Sequence, residues 1–319
     1  ALEGLKNRLQ KARANAKTSK GSIMQALNSY AAYGAANPFN NVLSDAELDA
    51  LTAQELVAII KSLVKYQPQV LYYGPLSTAA LAAEVKKSHP MLTAWAPVPK
   101  AVKFNRTVQN ENQVFLAYYD MVQAEMTWVR NLLPYDYNKE AVVDLFNSYF
   151  GGGMGSIVFQ TIRESKALAY STYAYVGTPA KKEDPFSFTG YVGSQADKLP
   201  EAIAAMTELL NTLPERENAF ENGRLSTLKD IETGRIEKTG IIFSYIAAQK
   251  KGLADDPRKV KYTQIKGLKF SDIKAFHDSQ LANKKYSYTI IGSEKNMGPE
   301  NLSKYGTVKV LSLEELFGY

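Results

Sequence analysis

The sequence predicts an α+β protein in two layers, a mainly antiparallel sheet with helices packed on one face. Three observations predict it. From about residue 106 the patterns run strand, helix, two strands and then several helices. From Asp197 to about Ala282 the pattern is helical almost throughout. The early part of the chain also repeats the element order of the late part when the two are laid together at a spacing of about 215 to 219 residues.

The elements follow in order. Gln113 to Arg130, QVFLAYYDMVQAEMTWVR, is rich in aromatic and β-branched residues and reads as one long or bent strand. Val142, Leu145, Phe146, Tyr149 and Phe150 fall on one face of a helix. Gly151, Gly152 and Gly153 end that helix, since glycine loses most entropy inside it and alone takes positive φ freely. A shorter helix is expected over about Ser156 to Glu164, then strands at Leu168 to Val176 and Pro185 to Val192 around the polar turn GTPAKKED. Leu199, Ile203, Met206 and Leu210 form a stripe at the head of the helical stretch, and a last strand near Tyr286 to Ile291 closes the unit.

The repeat organises the rest. LTAQELVAII (Leu51 to Ile60) reads as a threonine-capped amphipathic helix, and LKFSDIKAF (Leu268 to Phe276) has the same cap-then-stripe form. Each precedes an expected strand ending in glycine, QVLYYG (Gln69 to Gly74) and YSYTIIG (Tyr286 to Gly292). SYAAYG from Ser29 lies near the counterpart SYIAAQ from Ser244. Residues 1–88 are therefore expected to be the C-terminal part of a preceding homologous unit whose front is missing, and 106–319 a whole unit. Residues 89–105, with Pro90, Pro97 and Pro99, read as an extended linker.

Composition narrows the classes. With 45% apolar and 22% charged residues the chain is globular, and no apolar run approaches the roughly 18 residues of a membrane span. The charged, helical N-terminus is not a signal peptide, and localisation stays open. Zero cysteines exclude disulfides, thiolate metal sites and cysteine nucleophiles. The net charge of +6 is spread among carboxylates, and the tyrosines sit in strand-like runs rather than in a basic cluster, so nucleic-acid binding is not expected.

Most constellations that could carry chemistry fail on spacing. His89 and His277 are the only histidines, and neither stands in an H-x-x-E-H or H-E-x-x-H pattern, so no zinc site is expected in this chain. KTG at Lys238 to Gly240 and SDIK at Ser271 to Lys274 are in reversed order for a penicillin-recognising serine enzyme and lie in helical pattern. Ser156 after Gly155 is no nucleophile elbow and reads as a helix start. The glycine triplet lacks the G-K-[ST] ending of a phosphate loop.

One stretch remains, YFGGGMGSIVFQTIRESKALAYST from Tyr149 to Thr172. It resembles the C-terminal homologous domain of the insulinase (pitrilysin-type) zinc metallopeptidase family, in which a G-G-G-M turn precedes a helix ending in arginine, with a tyrosine seven residues on. The element order and the repeat extend the resemblance over nearly the whole chain. It implies a large peptidase whose zinc lies in an N-terminal half, the two halves closing around peptides, with this chain as the zinc-free, substrate-binding half. Arg163 and Tyr170 are then the pair this half contributes, a guanidinium and a phenol able to donate to a tetrahedral oxyanion or to the substrate backbone. On spacing alone, Arg163 complementing a helix dipole and Tyr170 packing in a sheet is the favoured reading, and the whole-chain resemblance reverses that order. Ile157 and Ala167 depart from the family pattern; glycine is common at the latter position. The same fold also serves as non-peptidase core subunits of respiratory complexes, so a noncatalytic structural role is the competing expectation.

Overall fold

The structure, a computed structural model, describes residues 1–89 and 92–319. Pro90 of the expected linker lies outside the described residues. Helices α1 (Leu2–Lys17), α2 (Lys20–Tyr33), α3 (Asp45–Ala50), α4 (Ala53–Ser62) and α5 (Thr78–Ser88) come first. Strands β1 (Gln113–Tyr118) and β2 (Gln123–Pro134) lead into α6 (Glu140–Phe150), a π-helical turn (Phe159–Ser165), β3 (Ser171–Gly177) and β4 (Pro185–Gln195). Next are α7 (Leu199–Asn211), α8 (Glu217–Thr233), α9 (Lys238–Lys250), α10 (Arg258–Gly267) and α11 (Phe270–Gln280). Strand β5 (Ser287–Gly292), α12 (Pro299–Leu302), β6 (Thr307–Val310) and α13 (Leu313–Phe317) follow.

The strands form one sheet in the order β3-β4-β2-β5-β1-β6, antiparallel from β3 to β5 and parallel at β1 with both its neighbours. Successive side chains on a strand point to opposite faces, and this alternation makes two cores. Val114, Leu116, Met126, Trp128, Phe188 and Ile290 face the layer of α6, α7 and α11. Phe115, Ala117, Val129 and Ile291 face Ile23, Leu27 and Tyr30 of α2. The sheet thus carries α6, α7 and α11 on one face, while α2 covers the β5, β1 and β2 part of the other. Beyond α2 no element among the described residues covers the face at β3 and β4, and Tyr173 and Tyr175 are exposed there.

Local sequence explains the helices. The α7 stripe of Leu199, Ile203, Met206 and Leu210 is fully buried. On α6, Leu145, Phe146, Tyr149 and Phe150 are buried, but Val143 rather than Val142 joins them. Thr52 and Glu55 close a capping box at α4, the Glu55 carboxylate accepting the Thr52 N–H at 2.8 Å. Asp272 accepts the Lys269 N–H at 2.7 Å at the start of α11.

Four expectations need correction. Gln113 to Arg130 is two strands rather than one, broken at the exposed Val122, and β5 inserts between them. Local periodicity carries no sign of a strand arriving from 160 residues away in sequence. Gln69 to Gly74 forms no strand: it has no described pairing partner and curls on itself, the Tyr72 hydroxyl accepting the Leu76 N–H at 3.2 Å. The helix expected over Ser156 to Glu164 is mostly the π-helical turn. Finally, β5 does not close the unit, since β6 and α13 follow and Leu316 and Phe317 enter the α2 core.

Candidate functional site

The glycine triplet divides its work. Gly151 caps α6 at φ −140°, and a Cβ there would stand 2.0 Å from the Ala174 carbonyl oxygen, so this glycine serves close approach of α6 to β3. Gly153, at φ +97°, makes the left-handed turn. Asn147, one helical turn before the triplet, clamps the outer edge of β3, accepting the Val176 N–H at 2.6 Å and donating to the Val176 carbonyl at 2.9 Å. Ser156 donates to the Gly153 carbonyl at 2.8 Å and so starts the following turn. The chain behind the glycines is thereby fixed against the sheet edge.

That chain brings Arg163 and Tyr170 into one surface pocket of about 300 Å³, shared with Glu164, Ala167, Leu168, Gln195 and Lys198. Arg163 leaves the last turn of the π-helix with its guanidinium carbon 4.8 Å from the Phe159 ring centroid and Nε 3.9 Å from the Glu164 carboxylate. Its side chain is 45% exposed. Tyr170 is 56% exposed and stands one residue before β3, tied to β4 by its N–H on the Gly193 carbonyl at 2.9 Å. The Gln195 amide donates to the Tyr170 hydroxyl at 2.7 Å. An oxygen that already accepts keeps its own proton free to donate outward. Between them, at Ala167, the backbone turns through φ +49°, the left-handed conformation that glycine takes without cost.

Gln195 and Lys198 belong to the site and were not legible in sequence. Gln195 reaches Tyr170 only because β4 pairs with β3, 25 residues apart. Next to the pocket lies the uncovered sheet face, where Tyr173 stacks on Tyr191 at 4.8 Å and neighbours Tyr175 at 6.0 Å. Burial pushes the Tyr173 phenol up, and burial together with the Glu125 carboxylate does the same for Tyr191, so these rings are neutral donors.

No group of three or more histidine, cysteine, aspartate or glutamate side chains among the described residues is placed to hold a metal. His277 is fully buried, its Nε2 donating to the Leu209 carbonyl at 3.0 Å and its Nδ1 lying 3.2 Å from Asp278. His89 is exposed and its Nδ1 is 2.9 Å from the Ser88 hydroxyl. Zinc does not fit these residues. A cavity of about 660 Å³ lies among Leu133, Val142, Gln264 and Phe276, away from the Arg163–Tyr170 pocket. No helix among the described residues is long and apolar enough to cross a membrane.

Residues 50–224 match the family model described as the peptidase M16 inactive domain, and the chain belongs to that family, the insulinase or pitrilysin-type metallopeptidases. It is 35% identical over 103 residues to the uncharacterized zinc protease YmxG of Bacillus subtilis, an alignment covering 30% of this chain and 24% of that protein. Among solved structures it is similar to the peptidase M16 inactive domain from Pseudomonas fluorescens, with TM-score 0.65 and 18% identity over 92% of this chain and 70% of that one. The periplasmic protease PqqL from Escherichia coli matches with TM-score 0.66 and 12% identity over 92% of this chain and 32% of that one. At such identities the structural likenesses establish the fold alone. The chain spans about a quarter of the curated relative and a third of PqqL.

Proposed function

We propose that this chain is the substrate-binding, zinc-free C-terminal portion of an insulinase-type peptidase, supplying Arg163 and Tyr170 to a zinc site carried by an N-terminal half. The observation that carries this reading is the shared pocket, in which a guanidinium and a phenol with a free proton stand together on an exposed surface. A peptide carbonyl gains negative charge as it becomes tetrahedral, and preorganised donors stabilise that charge more than they stabilise the ground state. Arg163 holds the substrate backbone, and the tyrosine face beside the pocket offers rigid, amphipathic area for its side chains. Residues 1–88 are read as the tail of a preceding homologous unit, joined through the irregular segment 89–105.

The test is made in the assembled enzyme. Tyr170→Phe should lower kcat by roughly a hundredfold, the loss of one oxyanion-type donor at about 3 kcal/mol, with KM little changed. Arg163→Ala should affect both kcat and KM, because a guanidinium also binds the ground state. A noncatalytic structural subunit predicts the reverse, Tyr170→Phe silent in turnover and Arg163→Ala altering only stability. Full turnover by a folded Tyr170→Phe enzyme removes the phenol from the mechanism.

A further inference from the structure

A cavity of about 330 Å³ opens between the end of α7 and the turn before β5, on the helical side of the sheet and away from the tyrosine face. Trp128 and Tyr288 form its floor, their rings edge to face at 6.1 Å. Trp128 is fully buried, and its indole N–H has no hydrogen-bond partner among the described residues. Buried donors left unmet are rare and costly, and this one belongs to a residue that lines a cavity.

The polar groups around the floor are matched in kind. Asn112 and Asn211 each commit the side-chain oxygen to a backbone N–H, of Tyr286 at 3.0 Å and of Asn283 at 2.9 Å. That fixes both amides with their NH2 groups left to donate. Lys284 and Lys285 also line the cavity, and no carboxylate does so among the described residues. The amides and the ammonium groups thus present donors and positive charge beside an aromatic floor.

We propose that this cavity binds a carboxylate carrying an adjacent apolar group, the charge meeting the lysines and amides and the apolar part resting on Trp128 and Tyr288. A cation would leave the donors unmatched, and a purely apolar ligand would strand them out of water. Such a group comes either from a free small acid or from the C-terminus of a peptide. The site is separate from the Arg163–Tyr170 pocket and does not depend on the reading of that pocket.

The chain has two tryptophans, so Trp95→Phe leaves Trp128 as the sole indole reporter. This variant is titrated with N-acetylleucine, with a short apolar peptide bearing a free C-terminus, and with the same peptide as its C-terminal amide. A saturable change in Trp128 emission and in its indole N–H resonance, half-complete at about 1 mM or below, is expected for at least one acid. Response to N-acetylleucine points to free acids, and response to the peptide acid alone points to peptide ends. The amide should bind about tenfold more weakly, and Lys284→Gln with Lys285→Gln should weaken the acid about tenfold at an unchanged melting temperature. No saturable response to either acid up to about 10 mM, or equal binding of acid and amide, overturns the proposal.

Discussion

Ala167 holds φ +49°, where an L side chain costs about 1 to 2 kcal/mol. Glycine would remove that cost but has more freedom to lose on folding, about 0.5 to 1 kcal/mol. Ala167→Gly should therefore stabilise by roughly 0.5 to 1 kcal/mol, read as a melting temperature higher by about 1 to 3 °C. A lower one refutes strain at this position. The glycines before it separate two causes in the same way. Gly151→Ala drives a methyl into the Ala174 backbone and should cost about 3 kcal/mol or more, whereas Gly153→Ala meets open space and carries only the left-handed penalty. Thermal unfolding of the two variants checks the order. The sequence marks all three glycines and the departure at Ala167, but it does not say which need is conformational and which is steric. That depends on how near β3 passes, which no local pattern encodes.

Between elements, the least legible feature is the charged knot that ties α9 and α10 to α6. Glu140 is 3% exposed, and its carboxylate accepts from the Tyr135 hydroxyl at 2.8 Å, from Lys251 at 2.7 Å and from Lys261 at 3.3 Å. Lys251 and Lys261 are 111 and 121 residues further along the chain, so sequence spacing gives no hint of them. The helical stripes were legible because their period is local; the knot and the insertion of β5 between β1 and β2 are decided by contacts between distant segments. Burial pushes the Glu140 carboxyl up, but the Lys251 ammonium, the Tyr135 phenol and Lys261 outweigh it and hold the carboxyl below its ordinary value. A depressed carboxylate contributes stability that is fully present above its unfolded pKa of about 4.3 and is lost as pH falls through the lower folded value. Glu140→Gln leaves Lys251 facing a neutral amide, while Lys261 keeps the Asp144 carboxylate, and should cost roughly 3 kcal/mol at neutral pH, with a shallower loss of stability below about pH 4.3. Urea unfolding of both proteins from pH 3 to 7 measures it; parallel curves would show that Glu140 is not the group titrating.

At the scale of the whole molecule, the chain alone should neither retain zinc nor hydrolyse peptides, since its two histidines are apart and engaged. Metal analysis after dialysis and a fluorogenic peptide assay test this, and stoichiometric, chelator-resistant zinc or metal-dependent turnover would sink it. The second expectation concerns α4. If residues 1–88 are the tail of a homologous unit, α4 is the counterpart of α11: the cap pair Thr52 and Glu55 aligns with Lys269 and Asp272, and Leu56, Ile59 and Ile60 align with Ile273, Phe276 and His277. On α11 those three are buried, Phe276 packing on Phe146 of α6 at 5.4 Å. On α4 no residue is buried, and Ile59 and Ile60 are 57% and 65% exposed. Helix faces of this kind are covered when a partner sheet and helix are present, and left open they drive association. The 319-residue chain should therefore self-associate at micromolar concentration, and Ile59→Lys with Ile60→Lys should return it to monomer in sedimentation velocity. Because α4 buries nothing here, the same double change should leave stability within about 0.5 kcal/mol of the parent. A parent chain that is already monomeric at those concentrations would show that the open α4 face does not drive association, and a double variant that unfolds would show that α4 packs on its own molecule.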